Sequence, residues 1–91
     1  KLFRPPYGKI TRKQIKAVAT DFKIIMWDVL SYDYNTSIKP EKVLSNITLN
    51  ATNGSIVVMH DSLKAEKNLR YVLPKILDHY TERGFSFRAI S

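Results

Sequence analysis

The group best suited to chemistry in this sequence is the imidazole of His60, in the stretch VVMHDS directly after the apolar residues 57–59. Histidine ordinarily gains or loses a proton near neutral pH, so His60 could act as a general acid or base. A nearby carboxylate would fix its tautomer, and Asp28 and Asp33, from the end of the preceding predicted strand, are the candidates. The competing interpretation, which leads for a lone histidine at a strand end, is a structural residue at the edge of the core.

The segment WDVLSYDYN, residues 27–35, places aromatic side chains among carboxylates. An aromatic ring combines a flat apolar body with a polar tip, so Tyr32 and Tyr34 could form a wall against which sugar rings stack. Asp33 would then be an orienting group behind this wall. The loop taken alone favours a plainer alternative, a polar loop beside a tryptophan, and Trp27 itself is expected in the core.

A third unusual stretch is RPPYG, residues 4–8, which we call the lip. Pro5 and Pro6 fix their own φ angles and end any strand that contains residues 2–3. Gly8 permits a turn that most residues resist. The lip is therefore expected to be stiff and to present Arg4 and the backbone of Tyr7 in fixed directions, as rigid loops at functional sites do.

Other kinds of site are less well supported. The chain has no cysteine, which excludes disulfides and thiolate metal sites. A metal site built on His60 and Asp61 lacks further ligands, because His79 falls within a predicted helix and is expected to be solvated. Ser62 follows no nucleophile-elbow motif. We therefore expect no metal ligands and no nucleophilic serine in this chain.

Apolar runs that predict strands alternate with amphipathic segments that predict helices. Strands are expected at residues 2–3, 23–29, 55–60 and 85–90, and helices at residues 12–20, from residue 40, and between residues 68 and 84. The order β-α-β-α-β-α-β predicts an α/β fold with a parallel sheet. In such folds the carboxyl ends of the strands carry the chemistry, so residues 4–7, 28–34 and 60–61 are expected to meet at one rim.

The helix ends carry local signals. Thr11 is expected to cap the first helix, Pro40 suits the first turn of the second, and Asn68 is expected to cap the third. Pro74 should lie in the first turns of that third helix or kink it, and Gly84 should end it.

Length and charge narrow the class of protein. Ninety-one residues suffice for one small domain, and the net charge of +7 comes from basic residues scattered along the chain. This spread favours a solvated basic surface, and a nucleic-acid-binding domain is the more remote alternative. No apolar run reaches the ~20 residues needed to span a bilayer. No signal peptide is visible and the chain begins with Lys1, so we expect a fragment of a longer protein.

Three motifs, in chain order, resemble those of one enzyme family. RPPYG (4–8), WDVLSYDY (27–34) and IVVMHD (56–61) resemble the last three of five motifs of polysaccharide deacetylases, the NodB-type enzymes of carbohydrate esterase family 4. The pattern from Leu73 to Phe87 resembles the closing helix and strand of that family. The resemblance implies that residues 1–91 are the C-terminal part of a single deacetylase domain, the C-terminal half of a distorted (β/α) barrel.

The resemblance also implies roles for individual residues. His60 matches the general acid that protonates the leaving amine or hydroxyl, and Asp33 matches the aspartate that tunes it. Arg4 matches the arginine that orients the carboxylate base, and the Tyr7 backbone amide matches a donor to the oxyanion.

Two further positions depart from the family pattern. Val58 stands where the family usually has a leucine that lines the acetyl-methyl pocket, and Tyr34 stands where it often has a tryptophan wall. Both substitutions keep the physical role and leave the glycan class open.

The same resemblance implies the cofactor and the partners. The family's base and metal ligands belong to motifs that would precede Lys1, so a divalent metal, expected to be zinc, would be held outside this chain, which alone is expected to be inactive. The expected partners are an acetylated polysaccharide or oligosaccharide (chitin-like, peptidoglycan or xylan) and the N-terminal half of the domain, without nucleic acid or a membrane span. The expected location is extracytoplasmic or at the cell surface. A non-catalytic glycan-binding domain is the main alternative.

Overall fold

The computed structural model describes all 91 residues. The chain forms two parallel strand pairs and three α-helices, joined by turns and loops. The strands are β1 (Leu2–Phe3), β2 (Lys23–Ile24), β3 (Val29–Leu30) and β4 (Val57–Val58), and the helices are α1 (Arg12–Val18), α2 (Pro40–Thr48) and α3 (Glu66–Glu82). β1 pairs with β2 across α1, and β3 pairs with β4 across α2, both in parallel. The predicted α/β class with parallel strands is confirmed.

The strand predicted for residues 23–29 is wrong as a single element, because this segment changes its partner halfway. At its start Lys23 pairs with Leu2, and the Ile25 amide donates to the Phe3 carbonyl at 2.8 Å. At its end the Asp28 amide donates to the Ile56 carbonyl at 2.9 Å. The two halves therefore belong to different sheets, and the apolar run in the sequence carries no mark of the change.

The strand predicted for residues 85–90 is not formed. A strand needs a neighbour that completes its hydrogen bonds, and these residues have none among the strand pairs of this chain. Phe85 packs edge-on against Tyr80, with 5.1 Å between ring centroids. The Lys23 ammonium donates to the Ser91 carbonyl at 2.8 Å, so the chain end returns to β2 without pairing with it.

The predicted cap of α1 is confirmed and forms a complete capping box. The Gln14 amide donates to the Thr11 hydroxyl at 3.1 Å, and the Thr11 amide donates to the Gln14 side-chain carbonyl at 2.9 Å. No side chain of α1 is buried, and the apolar side chain of Ile15 is exposed.

The core lies between α2, α3 and the β3–β4 pair. Its six buried side chains are Val29, Val43, Ile47, Val72, Ile76 and Tyr80. The spacing of the α2 and α3 members places them on one face of each helix, and each fully buried aliphatic side chain contributes roughly 1.5–3 kcal/mol. This helix pair is the rigid support of the β3 and β4 strand ends. None of the three helices is both long and apolar enough to cross a membrane.

Two expectations for α3 need correction. The helix begins at Glu66, so Asn68 lies inside its first turn and is not the cap. Pro74 lies in the middle of the helix on its exposed side and not in its first turns, and the alternative expectation, a kink at Pro74, stays a prediction. Gly84, at φ 83°, follows the end of the helix as predicted.

Tyr80 makes the stability of this core dependent on pH. Its hydroxyl donates to the carbonyls of Ile47 at 3.2 Å and Ala51 at 3.0 Å. Burial raises the pKa of Tyr80 above its ordinary value of 10.0, and the nearby Arg83 charge opposes the rise. The folded state thus holds this proton more tightly than the unfolded chain, so the contribution of Tyr80 is complete below about pH 10 and is lost as pH rises through the raised pKa.

We therefore expect Tyr80→Phe to lower the free energy of unfolding by about 1–2 kcal/mol at neutral pH, because the hydrogen bonds to both carbonyls are lost. The difference should shrink above about pH 10, where the unsubstituted protein itself loses this stabilisation. Urea unfolding of both proteins across this range measures the two free energies. A constant difference up to strongly alkaline pH would contradict the assignment.

Candidate active site

The centre of the site is an imidazole bound by a buried carboxylate. His60 Nδ1 lies 2.7 Å from Asp33 Oδ1, and the His60 backbone amide donates to Asp33 Oδ2 at 2.6 Å. Asp33 is 0% exposed, whereas the His60 side chain is 39% exposed. A carboxylate at this position accepts a hydrogen bond from Nδ1–H. This fixes the tautomer of the ring and leaves Nε2 available to a ligand.

Two side chains hold Asp33 in this place. The Asp33 amide donates to the hydroxyl of the buried Ser31 at 3.2 Å. The buried Asn68 donates its Nδ2 to the carbonyls of Asp33 at 3.0 Å and Asn35 at 3.3 Å. The backbone of Asp33 is therefore held by Asn68 of α3, and both carboxylate oxygens of Asp33 contact His60.

The lip and the β4 end form the two sides of an open groove of about 730 Å³. Its lining consists of the lip, the ends of β3 and β4, and aromatic side chains between them: Arg4, Pro5, Pro6, Tyr7, Gly8, Trp27, Leu30, Tyr34, Val58, Met59 and His60. The predicted meeting of the polar strand ends at one rim is confirmed in part. Arg4, Tyr7, Tyr34 and His60 line the groove and Asp33 lies buried behind His60, whereas Asp28, Tyr32 and Asp61 are not among the lining residues.

Trp27 lies under the lip and not in the core, contrary to the expectation from sequence. The Arg4 guanidinium carbon is 5.9 Å from the centroid of the Trp27 ring. Gly8 passes so close to this ring that a Cβ on Gly8 would lie 2.6 Å from a ring carbon. Gly8 also has φ 67°, so the position requires glycine for its backbone and for the space above Trp27.

Tyr7 adopts a conformation that is rare for residues with a side chain. It has φ 57° and ψ 17°, and its side chain is 93% exposed. The turn around it is closed by hydrogen bonds from the Gly8 amide to Pro5 at 3.0 Å and from the Lys9 amide to Pro6 at 3.1 Å. The lip thus forms a closed turn, and its unfavourable backbone conformation lies at Tyr7.

Aromatic rings continue outward from the imidazole. The Tyr34 ring meets His60 edge-on at 5.2 Å between centroids, and Tyr32 lies 6.0 Å beyond Tyr34. Val58 is buried at the end of β4 and lines the same groove as His60. The groove thus combines one proton-carrying group with apolar and aromatic walls.

Other candidates do not join this centre. The Asp28 side chain accepts the Ile56 amide at 2.7 Å, so of the two carboxylates considered it is Asp33 that binds His60. Asp61 is exposed, and the Ser62 hydroxyl accepts the Ala65 amide at 3.2 Å ahead of α3. His79 packs on Tyr80 at 4.8 Å and does not line the groove. No three His, Cys, Asp or Glu side chains converge anywhere in the chain.

Ser31 and Asn68 are the supporting residues that the sequence did not reveal. Ser31 stands two residues before Asp33, a spacing at which a hydroxyl can accept a backbone amide, and this was the one available signal. Asn68 is separated from its partners by 30 to 35 residues, and nothing local indicates such a contact.

Comparison with known proteins finds relatives that are deacetylases by name, although no family model matches the chain. A bifunctional xylanase/xylan deacetylase of Cellvibrio japonicus is 34% identical over 68 residues, which is 74% of this chain and 10% of that protein. A peptidoglycan-N-acetylglucosamine deacetylase of Bacillus cereus is 32% identical over 63 residues, 68% of this chain and 22% of that protein. The Listeria monocytogenes deacetylase PgdA is 32% identical over 90 residues, 96% of this chain and 17% of that protein.

A solved structure agrees with these relatives. The Bc1960 peptidoglycan N-acetylglucosamine deacetylase, crystallised with 4-naphthalen-1-yl-N-oxidanyl-benzamide, matches with a TM-score of 0.82 and 28% identity over 93% of this chain and 40% of that chain. The chain thus spans less than half of each of these proteins. Its sequence and its fold agree on one assignment: the chain belongs to the polysaccharide deacetylases, the NodB-type proteins of carbohydrate esterase family 4.

Proposed function

We propose that this chain is the C-terminal part of a domain that hydrolyses acetyl groups from a glycan, and that His60 is its general acid. The observation that carries the proposal is the double contact of His60 with the buried Asp33, at 2.7 and 2.6 Å, beside an open groove. A histidine that only completed the core would be expected to be buried, whereas the His60 side chain is 39% exposed and lines the groove.

The role of His60 is the transfer of one proton. Addition of water to the acetyl carbonyl gives a tetrahedral intermediate, and its collapse breaks the C–N bond of an amide or the C–O bond of an ester. The leaving amine or hydroxyl takes the proton from His60 Nε2, and acetate is released. Asp33 holds the ring through Nδ1 and stabilises the protonated imidazole, so that Nε2 keeps its direction toward the groove.

The lip would supply two further groups. Arg4 has no carboxylate partner in this chain, since the ion pairs present are His60–Asp33 and Arg70–Glu66. We assign its guanidinium to orienting the carboxylate base, contributed from outside these residues. The Tyr7 amide belongs to the strained turn and would donate to the oxyanion of the intermediate, where a fixed donor is most effective.

The residues of this chain do not form a metal centre, because no group of three ligating side chains converges. In the proposed domain a divalent metal, for which we favour zinc, would be bound by residues outside this chain, as would the base. The chain by itself would accordingly be inactive. The groups of this chain that take part in the proposed reaction are His60, Asp33, Arg4 and Tyr7.

The walls of the groove suit an acetylated sugar. Tyr34 presents an aromatic surface next to His60, on which the apolar face of a pyranose could pack. Val58 offers an aliphatic surface for the acetyl methyl group. The relatives act, by their names, on xylan or peptidoglycan, and we propose an acetylated glycan of this range as the substrate, encountered outside the cytoplasm or at the cell surface.

The uncovered side of the molecule supports a domain of which this chain is one part. The large apolar side chains of Ile15, Phe22 and Met26 are 39%, 36% and 40% exposed. We propose that the N-terminal half of the domain covers this apolar face, which would also bring the base and the metal to the rim.

The test is acetate release by the full-length protein that contains this chain, with acetylated xylan and N-acetylglucosamine oligomers as substrates. We expect release from at least one of them, its loss on treatment with a chelator, and its return when a divalent metal is added. Glycan binding without acetate release would favour the non-catalytic glycan-binding alternative. Release that is indifferent to the chelator would contradict the metal-dependent reaction.

A further inference from the structure

Only two residues other than glycine have a positive φ in this protein, and both are tyrosines that follow strand ends. Tyr7 has φ 57° and Tyr32 has φ 63°. Such a conformation is unfavourable for a residue with a bulky side chain, and it tends to persist where a site requires it. Tyr7 lies in the lip and has a role in the proposed reaction, whereas the strain at Tyr32 is not explained by that reaction.

The backbone around Tyr32 is fixed from both sides. Its neighbours Ser31 and Asp33 are both fully buried, which turns residue 32 outward between them. The Tyr32 carbonyl accepts the Asn35 amide at 3.0 Å, and Asn68 binds the carbonyls of both Asp33 and Asn35. This network imposes the left-handed backbone, which glycine or asparagine would adopt more readily. The turn therefore accounts for the φ angle but not for the choice of tyrosine.

The ring of Tyr32 is directed away from the core. The residue is 44% exposed, and its ring has one aromatic neighbour, Tyr34, at 6.0 Å between centroids. Tyr34 in turn meets His60 at 5.2 Å. Tyr34 is thus next to both the candidate acid and Tyr32, and Tyr32 is not among the residues that line the groove.

We propose that Tyr32 is a substrate-binding residue that packs against the sugar next to the one whose acetyl group reaches His60. The inference rests on the proposed function, because it takes the ligand to be an acetylated glycan chain. A sugar positioned for proton transfer from His60 would lie beside Tyr34, and the adjoining sugar of the same chain would extend toward Tyr32. Aromatic rings held rigidly, with few rotatable bonds, bind such apolar surfaces at small entropic cost.

This role predicts a dependence on glycan length. A single sugar seated at His60 would not reach Tyr32, whereas an oligomer would place its second sugar there. Removing the ring should weaken the binding of the longer glycan and leave the shorter one unaffected. Tyr32 is thus a residue that selects chain length, distinct from the groups that perform the reaction.

The experiment measures dissociation constants by calorimetry for N-acetylglucosamine and for its five-unit oligomer, with the full-length protein in a His60→Ala background to suppress turnover. Tyr32→Asn keeps the left-handed preference and removes the ring, and Tyr32→Gly removes the strain as well. Tyr32→Trp is the matched control that keeps an aromatic surface. We expect the first two variants to bind the five-unit oligomer about three- to tenfold more weakly, with unchanged binding of the single sugar, and Tyr32→Trp to bind both normally.

Equal affinities of all variants for the longer oligomer, equal losses for both lengths, or no glycan binding by the parent protein would overturn the inference. Thermal unfolding separates a binding effect from a folding effect, because Tyr32→Gly should not lower the melting temperature. Acetate release by the protein with His60 intact is measured separately. Deacetylation with no effect of Tyr32 would refute only the role of Tyr32, and length-dependent binding without deacetylation would refute only the proposed reaction.

Discussion

Replacement of His60 by alanine should lower kcat for deacetylation by about 10²–10⁴-fold and leave substrate binding nearly unchanged. The reason is that the leaving amine or hydroxyl would depart without a proton from Nε2, while Tyr34 and the lip would still hold the sugar. The measurement is the steady-state rate of acetate release by the folded, metal-loaded, full-length protein. Wild-type turnover in His60→Ala would mean that His60 is only a histidine at the edge of the core.

Two further variants test whether His60 acts together with Asp33. Asp33→Asn should change kcat in the same direction, because an amide cannot stabilise the protonated ring. The double variant should lose less than the product of the single losses, since the two residues act as a unit. His79, the other histidine of the chain, does not line the groove and serves as the matched control, with His79→Ala expected to keep normal turnover.

Gly8→Ala should produce the second largest effect, a fall in kcat/KM of roughly 100-fold, because the lip would move. The added Cβ would lie 2.6 Å from the Trp27 ring, and the backbone at φ 67° would be strained by any side chain. Relief of the contact requires a shift of the Arg4 and Tyr7 groups that the lip positions. Acetate release as a function of substrate concentration measures the effect.

Gly54→Ala is the control for the backbone strain alone. Gly54 has φ 85°, and a Cβ there would meet no atom within 4 Å. Both substitutions should cost about 1–2 kcal/mol of folding stability from the unfavourable φ, but only Gly8→Ala should lose activity. Equal activity of the two variants would show that the contact between Gly8 and Trp27 does not position the site.

The features of the fold that could be predicted from sequence depend on interactions between residues only a few positions apart. The Thr11 cap, the start of α2 at Pro40 and the end of α3 before Gly84 each follow from residue types at short spacing. The absent strand at residues 85–90 shows the limit of this reasoning, because an apolar run indicates burial but does not specify a partner. The division of residues 23–29 between two sheets has the same cause.

The candidate site was predictable where its residues follow strand ends. His60 follows β4 and the lip follows β1, and both line the groove although these strands belong to different pairs. The residues alone left Asp28 and Asp33 open as partners of His60, and the family resemblance pointed to Asp33. The structure pairs His60 with Asp33, whereas the Asp28 side chain binds the Ile56 amide. The contacts of Asn68 depend on how α3 packs beside the loop, which no short-range pattern encodes.

Trp27 illustrates a further limit. Its size and its apolar neighbours predict a core residue, but it supports the lip through its contact with Gly8. The left-handed backbone of Tyr32 was equally hidden, because tyrosine is not a residue that marks such a turn. Both cases arise where packing overrides the ordinary preference of a residue, and both lie at or next to the groove.

The most direct test of the central claim compares two leaving groups in one His60→Ala variant. An amine or sugar hydroxyl needs a proton in order to depart, whereas 4-nitrophenolate is stable as an anion. We expect His60→Ala to lose about 10²–10⁴-fold in kcat on an N-acetylglucosamine oligomer but only a small factor on 4-nitrophenyl acetate. Equal losses on both substrates would contradict a role for His60 as the donor of the proton to the leaving group.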